Sequence, residues 1–124
     1  MNDSDTSIGA LRDLVRHFVD ERNWSQFHAP KNLSMALAIE AAELMEHFQW
    51  ITPEESHQVR NHPEKHLAVR EELADVICYA LAIANVLQID IATAVEQKVR
   101  KNAEKYPVEQ FRGRYGPEDP APVE

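Results

Sequence analysis

The sequence of 124 residues has one cysteine, three glycines and no block of lysine or arginine ahead of its C-terminal region. Cys78, being alone, can form no intrachain disulfide, so a reducing, cytoplasmic location is expected. Glycine is scarce, and the apolar stretches are richer in Ala and Leu than in Val, Thr and Tyr. That composition disfavours a sheet protein and points to an all-helical one. The longest apolar run, residues 76–87, is too short for a bilayer that requires ~20 residues, so no membrane partner is expected. The opening MNDSDTSIGA has neither a basic start nor an apolar core and does not read as a secretory signal. A net charge of −8 argues against a non-specific nucleic-acid binder, whose affinity comes largely from neutralising phosphates, and no nucleic-acid partner is expected. It leaves room for a phosphorylated small molecule, because metal ions can stand between an acidic protein and an anion.

What is present reads as helices. Ile8, Leu11, Leu14, Val15, Phe18 and Val19 recur at helical spacing, predicting an amphipathic first helix over about 6–22. NWSQFHAPKN, residues 23–32, breaks that period with Pro30 and a cluster of rings. A second helix is expected over about 32–50 and a short surface helix over 53–60, opened by the capping signal Thr52-Pro53-Glu54-Glu55. Pro63 restarts the chain into a third long helix, about 64–87, and Asp90 caps a fourth over 91–105 that Pro107 ends. Residues 1–111 thus read as a single all-α domain, a four-helix bundle with one extra short helix. Residues 112–124, Pro-rich and acidic, read as a tail that frays. The third long helix is apolar all round between Leu73 and Leu87, which predicts neighbours on several sides and hence a homo-oligomer, dimer or tetramer.

Two of these helices carry carboxylates in apolar surroundings. Glu40 and Glu43 interrupt NLSMALAIEAAELMEHFQW, and Glu72 and Asp75 precede or interrupt EELADVICYALAIANVL. Each pair is three residues apart and so shares a helix face; Tyr79 extends one face, His47 and Trp50 the other. A single E-x-x-E pair is ordinarily a solvated helix face. Two pairs, each within an apolar run, are less easily explained that way, and no lysine lies between Lys31 and Lys65 to neutralise the first. Four carboxylates facing one another would repel and raise each other's pKa values, a conflict that hard divalent cations remove. Mg²⁺ needs few carboxylates when phosphates and waters complete its shell.

The blocks ERNWSQFHAPKNL, EAAELMEHFQW, EELADVICYALAIA and KVRKNAEKYP appear in this order and at similar spacing in MazG-like all-α nucleotide pyrophosphohydrolases, most closely in the dCTP pyrophosphatase branch. The resemblance covers about residues 11–111. It implies a Mg²⁺-dependent enzyme, with Mn²⁺ as a substitute, that hydrolyses a nucleoside triphosphate to the monophosphate and pyrophosphate in nucleotide-pool sanitation. It also implies that Glu40, Glu43, Glu72 and Asp75 are the metal ligands. Trp24, Ser25, Gln26, Phe27 and His28, with Trp50 and Tyr79, match positions that hold the nucleotide. Lys98, Asn102, Lys105 and Tyr106 match a K-x-x-x-N-x-x-[KR]-Y segment that faces the phosphates. One departure stands out: the branch has a nucleotide-contacting histidine on the first helix where this chain has Val15, and His17 lies on a different face.

The residues themselves suit that chemistry. Glu43, central among the acids, is the candidate proton acceptor, and Glu46, about 60° further round the helix, is a second catalytic candidate acting through water. Rings can clamp any flat base for ~1–3 kcal/mol, so edge hydrogen bonds, offered by His28 and Asn32, must choose it. The expected substrate is dCTP or a modified pyrimidine deoxynucleotide. Aromatic residues in a bundle are usually core, and on packing grounds alone Phe27 and Phe48 are expected there, as is Cys78, buried and inert. Two other readings compete. A di-iron bundle requires inward Glu-x-x-His pairs, and the only one here, Glu54 with His57, sits in the polar short helix. A helical oligomerisation or binding module would leave the acids solvated.

Overall fold

The computed structural model describes residues 1–114, 116, 118 and 119, and all regular elements in it are helical. They form two compact units, the first running from Met1 to Ile89 and the second starting at Asp90. In the first unit, α1 (Ile8–Glu21), α2 (Pro30–Glu46) and α4 (Pro63–Leu87) are the long helices, and α3 (Pro53–His57) is short. The second unit holds α5 (Ile91–Lys105) and a single turn, α6 (Val108–Phe111), that the sequence reading lacks.

Local chemistry sets the helix ends. Ser7 Oγ accepts the Ala10 amide at 3.0 Å and opens α1; Thr52 Oγ1 accepts the Glu55 amide at 3.1 Å and opens α3; Asp90 Oδ1 accepts the Thr93 amide at 2.9 Å and opens α5. Pro30, Pro53 and Pro63 each take the first helical position, where the missing N–H costs nothing. α1 stops at Glu21; just beyond its cap Arg22, Asn23 is held at φ 53° in the left-handed region that Asn tolerates, and a 3₁₀ turn over Ser25–Phe27 follows. α4 ends the same way at Gln88, φ 54°.

α2 differs from expectation at both ends. It starts at Pro30, inside the segment expected to be a loop, and it stops at Glu46, four residues short of Trp50. Thr52 must be extended (φ −75°, ψ 160°) both to cap α3 and to precede Pro53, so the chain leaves the helix ahead of it through tight turns. Phe48 and Gln49 donate to the Met45 carbonyl, and Ile51 to that of Phe48. Trp50 therefore does not extend the face of Glu40 and Glu43, whereas His47, still helical in φ and ψ, directly follows α2. The tail expected to fray lies mostly outside the described residues.

α2 and α4 form the most extensive helix pairing, α1 packs on α4, and the 3₁₀ turn Gln58–Asn61 packs against α4 too. The core is small: Val19 from α1, Leu33 from α2, Val59, and Leu81, Ala82 and Ala84 from α4. Large apolar side chains stay exposed on α2 (Met35, Ile39, Met45) and on α4 (Leu67, Leu73, Ile77). α4 is thus apolar on more faces than its own unit covers. Among the described residues no single helix is long and apolar enough to cross a membrane.

Candidate active site

The pairing of α2 with α4 brings carboxylates from both helices together. One oxygen each of Glu40, Glu43 and Glu72 lies within 4.8 Å of the others, and all three side chains are half-buried. Glu40 Oε2 and Glu72 Oε2 are shut off from water and meet no hydrogen-bond donor. The ion pairs among the described residues join Asp13 to Arg16, Glu21 to Arg22 and Glu96 to Arg100, and none reaches the cluster. Loss of water, then the neighbouring Glu43 carboxyl and the charge of Asp75, push the Glu40 pKa up to about 7. Burial and Glu43, with Asp75 adding to them, raise that of Glu72 as well. Buried acceptors with no donor are costly unless a proton or a cation meets them, so the donor set fits a hard, oxygen-seeking divalent ion. Asp75 stands outside the 4.8 Å group but close enough for its charge to act on Glu40 and Glu72.

Beside the cluster, between α1 and α4, opens a cavity of about 560 Å³. Leu14, Val15 and Phe18 of α1, Trp24 and His28 of the following turn, and Asp75, Cys78 and Tyr79 of α4 line it. Phe18 and Trp24 meet edge to face, ring centroids 5.6 Å apart, and the Arg22 guanidinium lies over the Phe18 ring, 3.9 Å from its centroid. A smaller cavity of about 180 Å³ continues past Val15, Val19, His28 and Ala82 to Ser25 and Asn85.

The expected site residues divide accordingly. Trp24, His28, Tyr79 and Asp75 share the large cavity, and Ser25 reaches the small one while its Oγ donates to Asp20 Oδ1 at 3.2 Å. Gln26 and Asn32 make local bonds instead, Gln26 to the Asn23 carbonyl and Asn32 to that of Phe27, and neither lines a cavity. Phe27 is 60% exposed, which overturns its assignment to the core, and Trp50 is 87% exposed in the turn after α2. Glu46 is exposed at the last position of α2, outside the cluster. Lys98, Asn102 and Lys105 stand on α5, and Tyr106 caps it with its ring edge to face with Phe111; all four belong to the second unit. Glu54 and His57 lie on α3 and neither joins the carboxylates.

Four wall residues were hidden in the sequence. Leu14 and Phe18 belong to an amphipathic stripe that reads as core, and Ala82 carries no signal at all. Cys78, expected to be buried, is exposed along the cavity, where partial loss of water and the Asp75 charge push its thiol pKa up. Val15 lines both cavities and His17 neither, as their different helix faces require.

The model of the MazG-like family matches residues 35–115, which span both carboxylate pairs. The chain belongs to the MazG-like family. Among proteins similar to this MazG-like chain, dCTP pyrophosphatase 1 of Bos taurus is 39% identical over 110 residues, covering 89% of the chain and 65% of the cattle protein. The Homo sapiens protein of the same name is 41% identical over 97 residues, 78% of the chain and 57% of the human protein. The chain thus matches less than two thirds of the length of these relatives. A crystal structure of a pyrophosphatase from Archaeoglobus fulgidus superposes with a TM-score of 0.73 at 38% identity, over 86% of this chain and 98% of that one.

The raised carboxylates make stability depend on pH in a defined direction. Glu40 titrates near 7 in the folded chain and near 4.5 when unfolded, so between these values the folded state holds more protons. Without metal, the stabilisation is complete below about pH 4.5 and is lost as pH rises through about 7; Glu72 adds the same sign. Thermal melts in chelator are expected to fall across that window, and Glu40→Gln to flatten the slope. An undiminished slope in Glu40→Gln would show that the cluster is not its source.

Proposed function

We propose that the chain is a divalent-cation-dependent nucleoside triphosphate pyrophosphohydrolase acting in nucleotide-pool sanitation, with dCTP or a modified pyrimidine deoxynucleotide as preferred substrate. One observation carries the reading: Asp75 belongs to both halves of the site. It lines the aromatic cavity, and its charge acts on Glu40 and Glu72. A base held between the rings would therefore lay its phosphates toward the carboxylates. The names of the mammalian relatives and of the archaeal pyrophosphatase support the same reaction.

Glu40 and Glu72, with their donor-free buried oxygens, are assigned as primary holders of Mg²⁺, with Glu43 and Asp75 completing the set and Mn²⁺ as a substitute. When bound, the ion supplies Lewis acidity toward phosphoryl oxygens and lowers the pKa of a water. Glu43, flanked by the other two glutamates, is assigned to take a proton from the attacking water at its carboxylate. The water oxygen bonds to the α-phosphorus as the bridge to the β-phosphorus breaks and pyrophosphate leaves. Trp24 and Tyr79 clamp the faces of the base, His28 offers a hydrogen bond to its edge, and Leu14, Val15 and Phe18 keep water out. Val15 supplies no polar group, which relaxes the choice of base.

The exposed apolar faces of α2 and α4 support a further part of the reading, a homo-oligomer, dimer or tetramer, in which a second copy covers them. The single unpaired cysteine supports a cytoplasmic setting.

The deciding assay is Mg²⁺-dependent pyrophosphate release from a panel of nucleoside triphosphates. Turnover is expected to be highest in kcat/KM for dCTP or a modified relative and to vanish in Glu43→Gln, whose fold persists. Undiminished turnover in Glu43→Gln would exclude the metal cage; equal kcat/KM for dATP, dGTP and dCTP would exclude the pyrimidine preference alone. Light scattering is expected to give a particle of at least twice 14.2 kDa, and an active monomer of 14.2 kDa would contradict the oligomer.

A further inference from the structure

Arg12 ties the two walls of the aromatic cavity together. Its Nε donates to Asn85 Oδ1 at 3.0 Å, its Nη2 to the Ala84 carbonyl at 3.0 Å and its Nη1 to the Ile89 carbonyl at 2.6 Å. Asn85 Nδ2 donates back to the Arg12 carbonyl at 3.1 Å. The acceptors cluster where α4 ends in the left-handed Gln88, and a guanidinium there meets the negative end of the helix dipole with charge-assisted bonds.

The position of this clamp matters more than its strength. Arg12 lies one turn before Val15 on α1, and Asn85 one turn beyond Ala82 on α4; Val15 and Ala82 line both cavities. From the clamp the walls run on to Phe18 and Trp24 on one side and to Tyr79 and Asp75 on the other. Hydrophobic fastening between them is thin, because Val19 alone is buried on α1. Leu11 and Val15 are only half-buried, and a fork of directional bonds fixes the separation of two helices more tightly than so small an apolar contact. The carboxylates are held differently: Glu40, Glu43 and Glu72 sit on α2 and α4, and none is on α1. Arg12 therefore controls one wall of the cavity and none of the cage.

We propose that Arg12, acting through Asn85 and the C-terminal carbonyls of α4, is a positioning residue that sets the width of the α1–α4 cleft and so its grip on the base of the nucleotide. This rests on reading the cleft as the base pocket. The variants Arg12→Met and Asn85→Leu should each raise KM for dCTP ~10-fold, with kcat and the Mg²⁺ half-saturation essentially unchanged. The double variant should be no worse than either single one, because both break the same clamp. Asn85→Asp, which keeps the acceptor oxygen, should restore most of the affinity. Should Arg12→Met fail to fold, Arg12→Lys keeps the charge, loses the fork and should show an intermediate KM.

A second readout is independent of turnover. In a Trp50→Phe background, acrylamide should quench Trp24 fluorescence more strongly when Arg12 is Met than when it is Arg. An unchanged KM, a loss of kcat at constant KM, or additive effects in the double variant would overturn the proposal, as would equal quenching. A wild-type chain that hydrolyses no triphosphate would instead defeat the proposed reaction, and the quenching would still report on the clamp.

Discussion

The mutual repulsion of Glu40, Glu43 and Glu72, to which the charge of Asp75 adds, is the constraint on which the rest of the molecule turns. Carboxylates at this separation, partly withdrawn from water and without a lysine, arginine or histidine partner among the described residues, are a net cost to folding. The cost is met by the association of α2 with α4, the most extensive helix pairing among the described residues, with Leu33 buried on one helix and Leu81 on the other. That pairing leaves the cluster poised between two ways of relief, protonation and cation binding. A carboxyl titrating near 7 is the signature of that balance.

α4 connects the cluster to everything else in the first unit. Glu72, Asp75, Tyr79, Ala82 and Asn85 follow one another at intervals of three or four residues and so form one stripe along the helix. The stripe passes from carboxylate cage to aromatic cavity to clamp. α2 completes its first part, the turn with Trp24 and His28 its middle, and Arg12 its end. A ligand with a flat ring at one end and negative charge at the other, the latter met through cations at the carboxylates, would match that order, as the proposed function requires. The apolar faces left exposed on α2 and α4 belong to the same economy, since a helix committed to a site on one side has other sides to cover.

Much of this was legible because the chemistry is local. Asp90 as cap and Pro63 as first helical residue define helix starts within a few positions, and α5 follows its predicted bounds. The three-residue spacing within each carboxylate pair announced a shared face, and the apolar surroundings announced burial. The end of α2 was misread because the composition stays apolar through Phe48 and Trp50, while the requirement that breaks the helix is set by Thr52 and Pro53 further on. Leu14 and Phe18 escaped because an amphipathic stripe looks the same whether it faces a core or a cavity. Arg12 and Asn85, 73 residues apart, leave no local pattern at all. Trp50 was expected to extend the Glu40 and Glu43 face on the premise that α2 continues to it, and α2 ends at Glu46.

The central claim, that the carboxylate cluster is a cation cage held ready by its own repulsion, predicts that metal and protons compete for the same oxygens. Calorimetric titration of the metal-free protein with Mg²⁺ near pH 7, in buffers of different ionisation enthalpy, measures that competition directly. Saturable binding with net proton release is predicted, the release fading as pH rises well above 7 and diminishing in Glu40→Gln. Binding without proton release, or no saturable binding at all, would contradict the account.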